Sequence, residues 1–173
     1  MPDIHLHREK GGYLFEDHAF GVNLEITRKG FFGGLSAEML NNRKLYAGGD
    51  APSGWECTAF ERITDRPHES LCHSHFIILR DGGSMKQTSE VIATGAGKTY
   101  EARAWVKPLT DTAEIAFGLA GREKTFTVTP NGEAYIPLSF TFEGTDLGGG
   151  TFTLTVKGEV AVFEVSFRDA NHF

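Results

Sequence analysis

From about Phe76 to the end of the chain, apolar and polar residues alternate with a period of two, and turn residues interrupt the pattern at short intervals. Phe126 and Val128 alternate with Thr125, Thr127 and Thr129, and Ile136, Leu138, Phe140 and Phe142 with Tyr135, Pro137, Ser139 and Thr141. Phe152, Leu154 and Val156 do the same against Thr151, Thr153, Thr155 and Lys157. Successive side chains of a strand point to opposite faces, so each run predicts a strand with one face in a core. Pro130-Asn131-Gly132, Gly144 through Gly150 and Lys157-Gly158-Glu159 supply the turns, the last before a strand over Val160 to Phe167. Thr99 to Lys107 and Ala113 to Leu119 complete the expected set. One segment breaks the pattern. Over Gly33 to Lys44 the apolar Leu35, Met39 and Leu40 fall at helical spacing, with Arg43 and Lys44 where the helix dipole favours cations, and this predicts a short helix. The expected fold class is all-β, a jelly-roll β-sandwich over 47–173, preceded by a short strand and helix over 1–46 packed on it. Ala47 through Gly54 is the nearest approach to a boundary.

With 173 residues the chain can bury one good core, and its 40% hydrophobic and 23% charged residues suit a globular domain. The 21 glycines and 14 phenylalanines fit many tight turns between apolar strands. A formal charge of -6 argues against a nucleic-acid surface, which needs clustered Lys and Arg, and favours a neutral polar ligand. No apolar run is long enough for a membrane-spanning helix, and Met1 to His7 lack the parts of a signal peptide, so the expected location is cytoplasmic. Cys57 and Cys72 then read as reduced, structural residues.

Gly95-Ala96-Gly97-Lys98-Thr99 superficially suggests a phosphate loop, but the first glycine of that motif is replaced by Ile92 and the segment leads into a strand instead of a helix. The strand that follows has Tyr100, Ala102, Ala104 and Val106 on one side and Glu101, Arg103, Trp105 and Lys107 on the other. The second side is either a solvated face with Trp105 packed under a loop, or a binding surface. His73-Ser74-His75 has the spacing that points two imidazoles to one side of a strand, yet no carboxylate follows until Asp81, and edge-strand histidines are the simpler account. No metal site is assigned.

Two segments resemble a known family. Gly21-Val22-Asn23-Leu24-Glu25-Ile26-Thr27-Arg28, followed by the Gly-Gly-Leu, Ala-Glu and Asn-Arg of the expected helix, resembles the amino-terminal end of α-L-arabinofuranosidases and related glycoside hydrolases. The lead Gly97-Lys98-Thr99-Tyr100 into a strand with Trp105 resembles carbohydrate-binding modules of the sandwich type, which in those enzymes follow the early strand and helix. The likeness is specific over Gly12 to Tyr46, looser over Trp55 to Lys107 and architectural beyond. It implies a carbohydrate ligand, with Trp105 as the plate for a sugar ring and Arg103 and Glu101 as partners for hydroxyls, Gln87 and Lys86 as weaker candidates, and Glu25 at the position of the family's substrate-contacting glutamate. The catalytic carboxylate pair of those hydrolases lies on a barrel beyond the region matched, so no catalytic residue is assigned.

The reading is a non-catalytic carbohydrate-binding module. Its alternatives are an accessory fragment of an arabinofuranosidase-like hydrolase whose barrel lies elsewhere, and a structural oligomerisation module. No cofactor is expected beyond a structural calcium, for which Glu16, Asp17 and Asp169 are the candidate oxygen donors. Phe31 and Phe32 need cover in the absence of a barrel, which a homodimer or docking onto the sandwich would give. The purified chain should release no arabinose or chromogenic leaving group from furanoside substrates. Turnover at an enzyme-like rate, lost on mutating a carboxylate pair, would overturn the non-catalytic reading.

Overall fold

The computed structural model describes residues 38–66, 69 and 75–170, and the fold below is that of the unit Ala37–Phe173. Eight strands follow one another: β1 Glu56–Ile63, β2 Phe76–Ser89, β3 Thr99–Pro108, β4 Ala113–Leu119, β5 Lys124–Val128, β6 Ile136–Glu143, β7 Gly150–Lys157 and β8 Val160–Asp169. All pairings among them are antiparallel, in the order β5-β4-β7-β2-β8-β3-β6, with β1 beside β2. The β-strands expected from Thr99 onward are all present. β1 carries no clean alternation and is not foreseen by the sequence pattern.

The sheet folds over on itself at β2. Its first residues, Ile77 to Leu79, pair with Val162 to Val160 of β8, whereas Ser84 to Ser89 pair with Thr155 to Gly150 of β7. Between them lies Arg80-Asp81-Gly82-Gly83, with Gly82 at φ 73° and a Gly83 whose missing Cβ would stand 2.7 Å from Arg80 O and 2.9 Å from Ala59 O. No other residue fits that corner. β1 makes the matching bend at Ala59, φ 44°, where its register with β2 shifts. The result is a β-sandwich whose two layers, β5-β4-β7 and β6-β3-β8, are joined through β2 and β1.

The core between the layers is built from the inward side of each alternating strand. β3 contributes Tyr100, Ala102, Ala104 and Val106, β7 contributes Phe152, Leu154 and Val156, and β8 contributes Val162, Val165 and Phe167, all buried. The small residues of β3 leave room for rings from its neighbours. Phe117 stacks on Phe126 at 5.3 Å and meets Phe140 edge-on at 5.6 Å, and Phe167 lies within 6.0 Å of Tyr100, Phe142 and Phe152. Burying such a ring is worth about 1.5–3 kcal/mol. Cys57 on β1 packs beside this core, and burial raises its thiol to about 11, so it is an unreactive thiol at neutral pH.

Residues 38–43 occupy the place beside β8 that β2 vacates when it turns away. Met39 N donates to Phe167 O at 2.8 Å and Val165 N donates to Arg43 O at 2.9 Å, so this strap satisfies the outer backbone groups of β8. Residues 33–37 of the helix expected over 33–44 fall outside the described residues; over 38–44 the chain makes a bridge to Arg168 and then turns. Asn42 at φ 51° and Leu45 at φ 59° exclude helical continuation, and side chains from elsewhere claim the backbone. Gln87 Oε1 accepts from Asn41 N at 2.8 Å, and its Nε2 donates to Asn41 O at 3.1 Å and Gly54 O at 3.0 Å. Trp55 Nε1 donates to Asn41 O and Asn42 O. The loop 47–54 is tied to the same point through Asn42, whose amide bonds Ala47 and Ser53.

Among the described residues no helix is long and apolar enough to cross a membrane. The tie at Gln87 generates a test. Gln87→Met keeps the volume of this 3% exposed side chain and strands Asn41 N and Gly54 O, while Asn41 O keeps its bond from Trp55, and this should cost about 1–3 kcal/mol in urea denaturation. An unchanged unfolding midpoint would show that water replaces the amide without loss.

Candidate functional site

The outward side of β3 presents Glu101, Arg103, Trp105 and Lys107, because the inward side is taken by the core. Pairing sets what stands beside them. On β8 the partners are Arg168 for Glu101, Ser166 for Arg103 and Glu164 for Trp105; on β6 they are Thr141, Ser139 and Pro137. The register of β3 with β8 shifts between Trp105 and Val106, so that β8 turns both Phe163 and Glu164 outward while Val162 and Val165 remain in the core. Phe163 enters a second apolar cluster with Ile63, Phe76, Ile78, Tyr135 and Ala161, and Trp105 packs against its edge. Trp105 is therefore half-buried, with support on one side and a polar row on the other.

Glu101 organises that row. Its Oε1 accepts from Arg103 Nε at 2.7 Å, and its Oε2 accepts from Arg168 Nε at 2.9 Å and Nη2 at 2.7 Å. Burial works against its charge, but the hydrogen bonds and charges of Arg103 and Arg168 outweigh it and hold the carboxyl below the ordinary carboxylate range. Arg43, delivered by the strap, donates from Nη1 to Glu164 Oε1 at 2.6 Å. Part-exposed ion pairs of this kind contribute about 0–1 kcal/mol each. Their effect is to fix geometry.

Arg43, Arg103, Trp105, Glu164, Ser166 and Arg168 together line a small open depression of about 60 Å3. Behind this lining stands Glu38, whose Oε2 accepts from Ser166 Oγ at 2.6 Å and whose Oε1 accepts from Leu40 N at 3.0 Å and Phe167 N at 2.9 Å. An aromatic plate beside fixed guanidinium and carboxylate groups can stack on the apolar face of a ring and hydrogen-bond its substituents.

Three of the residues singled out in the sequence, Trp105, Arg103 and Glu101, thus stand together, with Trp105 and Arg103 in the wall and Glu101 beneath. Gln87 lies elsewhere, buried on the core side of β2 with its amide engaged by the strap and Gly54; its connection to the depression is indirect, through the strap that carries Arg43. Lys86 is exposed and paired with Glu56 at 3.0 Å. Glu25, Phe31, Phe32, Glu16, Asp17, Cys72 and His73 lie outside the described residues. Asp169 is buried, with Lys98 Nζ 3.9 Å from its Oδ2. His75 Nδ1 stands 2.8 Å from Tyr46 O, and among the described residues no group of three or more His, Cys, Asp or Glu is arranged to hold a metal ion. Sequence reasoning missed Arg43, Glu164, Ser166 and Arg168. The period-two outer positions 164, 166 and 168 of β8 were the available signal, but their adjacency to β3 is a matter of strand order.

No family model matches this chain, and no curated protein is similar to it in sequence. Its fold, however, is similar to solved carbohydrate-binding modules. A structure of TmCBM61 in complex with beta-1,4-galactotriose is 14% identical with a TM-score of 0.60, covering 78% of this chain and 99% of that one. The CBM22-1 xylan-binding domain of Paenibacillus barcinonensis Xyn10C is 11% identical with a TM-score of 0.53, covering 76% and 94%. The enzymatically active domain of tailspike protein 4 from bacteriophage CBA120 is 16% identical with a TM-score of 0.53, covering 77% of this chain and 21% of the tailspike chain. At these identities the likeness is one of fold.

Glu38, which holds Ser166 in place, offers a test of the support behind the depression. Burial raises its carboxyl above the ordinary carboxylate range, against the hydrogen bonds of Phe167, Ser166 and Leu40 and the charge of Arg43. A carboxyl that binds its proton more tightly in the folded state gives stability that is fully present below the unfolded-state value and is lost as pH rises through the folded-state value. Glu38→Gln has no proton to lose. Its stability relative to wild type in urea should therefore climb as pH rises from the ordinary carboxylate value towards neutrality, then level off. A difference independent of pH would show that Glu38 titrates normally.

Proposed function

We propose that the domain is a non-catalytic carbohydrate-binding module that holds a polysaccharide or oligosaccharide on the outer face of β6, β3 and β8, with Trp105 as the stacking surface and Arg103, Glu101 and their neighbours as the polar frame. The observation that carries this reading is the placement of Trp105 in the wall of a polar depression instead of wholly inside the core. A sandwich needs only one face of each strand for its interior, so the combination of indole, guanidinium and carboxylate on the opposite face is not required by packing. The fold shared with sugar-binding modules supports it. The strap carrying Arg43 lies within the segment that resembles arabinofuranosidase-type hydrolases, and in that setting the module is an accessory that keeps a catalytic domain near its polymer.

Trp105→Ala and Arg103→Ala, titrated by calorimetry against a panel of plant and bacterial polysaccharides, should each weaken binding on the order of tenfold or more, the equivalent of about 1.4 kcal/mol. Thermal melts run alongside separate contact from folding. Unchanged affinity in folded variants would move the site off this face, and a collapsed melting temperature for Trp105→Ala alone would assign the indole to the apolar cluster around Phe163.

A further inference from the structure

The depression is rich in donors and poor in acceptors. Arg103 spends only Nε, on Glu101, and keeps Nη1 and Nη2 without a hydrogen bond among the described residues; its side chain is 48% exposed. Among the described residues Arg43 uses Nη1 on Glu164 and keeps Nε and Nη2, and Arg168 keeps Nη1. The carboxylate oxygens, by contrast, are nearly all engaged. Both oxygens of Glu101 are taken by arginines, both oxygens of Glu38 accept from the backbone or Ser166, and Glu164 Oε2 is the one carboxylate oxygen of the three without a donor among the described residues. A neutral sugar ring offers hydroxyls, each both donor and acceptor, and would leave this set unbalanced.

From this imbalance, and resting on the glycan-binding reading above, we infer that the ligand is an acidic glycan, in which an anionic oxygen group on the ring docks on the free edge of Arg103 and beside Arg43 while the ring lies against Trp105. A guanidinium edge matches two oxygens of one carboxylate in a bidentate pair, and a sulfate ester offers the same acceptor chemistry. The choice is local. A chain of formal charge -6 repels a polyanion at long range, so binding must come from these contacts and not from a general basic surface.

The test is calorimetry on the full chain with polygalacturonate, alginate and glucuronoxylan, each beside its carboxyl-reduced form, together with a sulfated galactan and poly-glutamate. At least one uronate polymer should bind roughly tenfold or more tighter than its reduced counterpart, and raising salt from about 50 to about 500 mM should narrow the gap. Arg103→Gln and Arg103→Lys should both abolish the preference, since lysine keeps the charge and loses the fork. A sulfated galactan that binds in place of the uronates, with the same dependence on Arg103, supports the same anion chemistry and assigns its source to sulfate esters. Equal affinity for acidic and reduced polymers, both lost in Trp105→Ala, overturns the acidic class and leaves the glycan-binding face standing. Poly-glutamate binding as tightly as the glycans overturns it as unspecific attraction. Failure of every glycan, neutral or acidic, overturns both readings.

Discussion

The two-residue period of β8 from Glu164 onward, beyond its bulge and held in register from both sides, is the constraint on which both core and surface depend. β3 pairs along nearly its whole length; on the other flank β2 pairs with its first residues and the strap takes over beyond them. A slip by one residue would send Val165 and Phe167 into solvent and Glu164, Ser166 and Arg168 into a core of aromatic rings. Phe167 alone meets three rings, so that slip is strongly disfavoured. The rigidity of the interior is what gives the exposed arginines a fixed floor.

Within the depression, order comes from sharing. One carboxylate, Glu101, takes Nε of Arg103 and two donors of Arg168, so two long side chains that would otherwise sample many rotamers share one anchor. The strap contributes the third guanidinium while its own backbone is held by Gln87 and Trp55 from the opposite side of the sheet. A recognition surface assembled in advance loses less freedom when a ligand arrives.

How much of this the sequence disclosed follows from the range of each interaction. Alternation is local, and it correctly separated Tyr100, Ala102, Ala104 and Val106 from Glu101, Arg103 and Trp105, as it did the faces of β6 and β7. Strand β1 escaped because its exposed and part-buried residues do not alternate cleanly: it edges both layers and bends at Ala59. The helical spacing of Met39 and Leu40 could not reveal that Gln87, 46 positions away from Asn41, competes for the backbone there. Arg43 looked like a dipole partner for the same reason, and Arg168 reaches Glu101 only because β8 lies next to β3. The fold class was therefore legible, together with the β3 part of the candidate site, while the residues brought in by β8 and the strap belong to long-range pairing.

The bend in β2 also has a temporal meaning. One edge of that strand pairs with β1, but its other edge waits for partners far along the chain: residues 84–89 for β7 and residues 77–79 for β8. Closing such distant pairs requires a large loss of chain entropy before any burial compensates, so neither layer can mature while the carboxy-terminal hairpin is missing. The pairs β1-β2, β3-β6 and β4-β5 can form before then, but they are joined into one sandwich only when β7 and β8 zip down its middle. β8, which carries Glu164, Ser166 and Arg168, is also the strand that completes the fold, so a chain that has not finished folding lacks the depression they line.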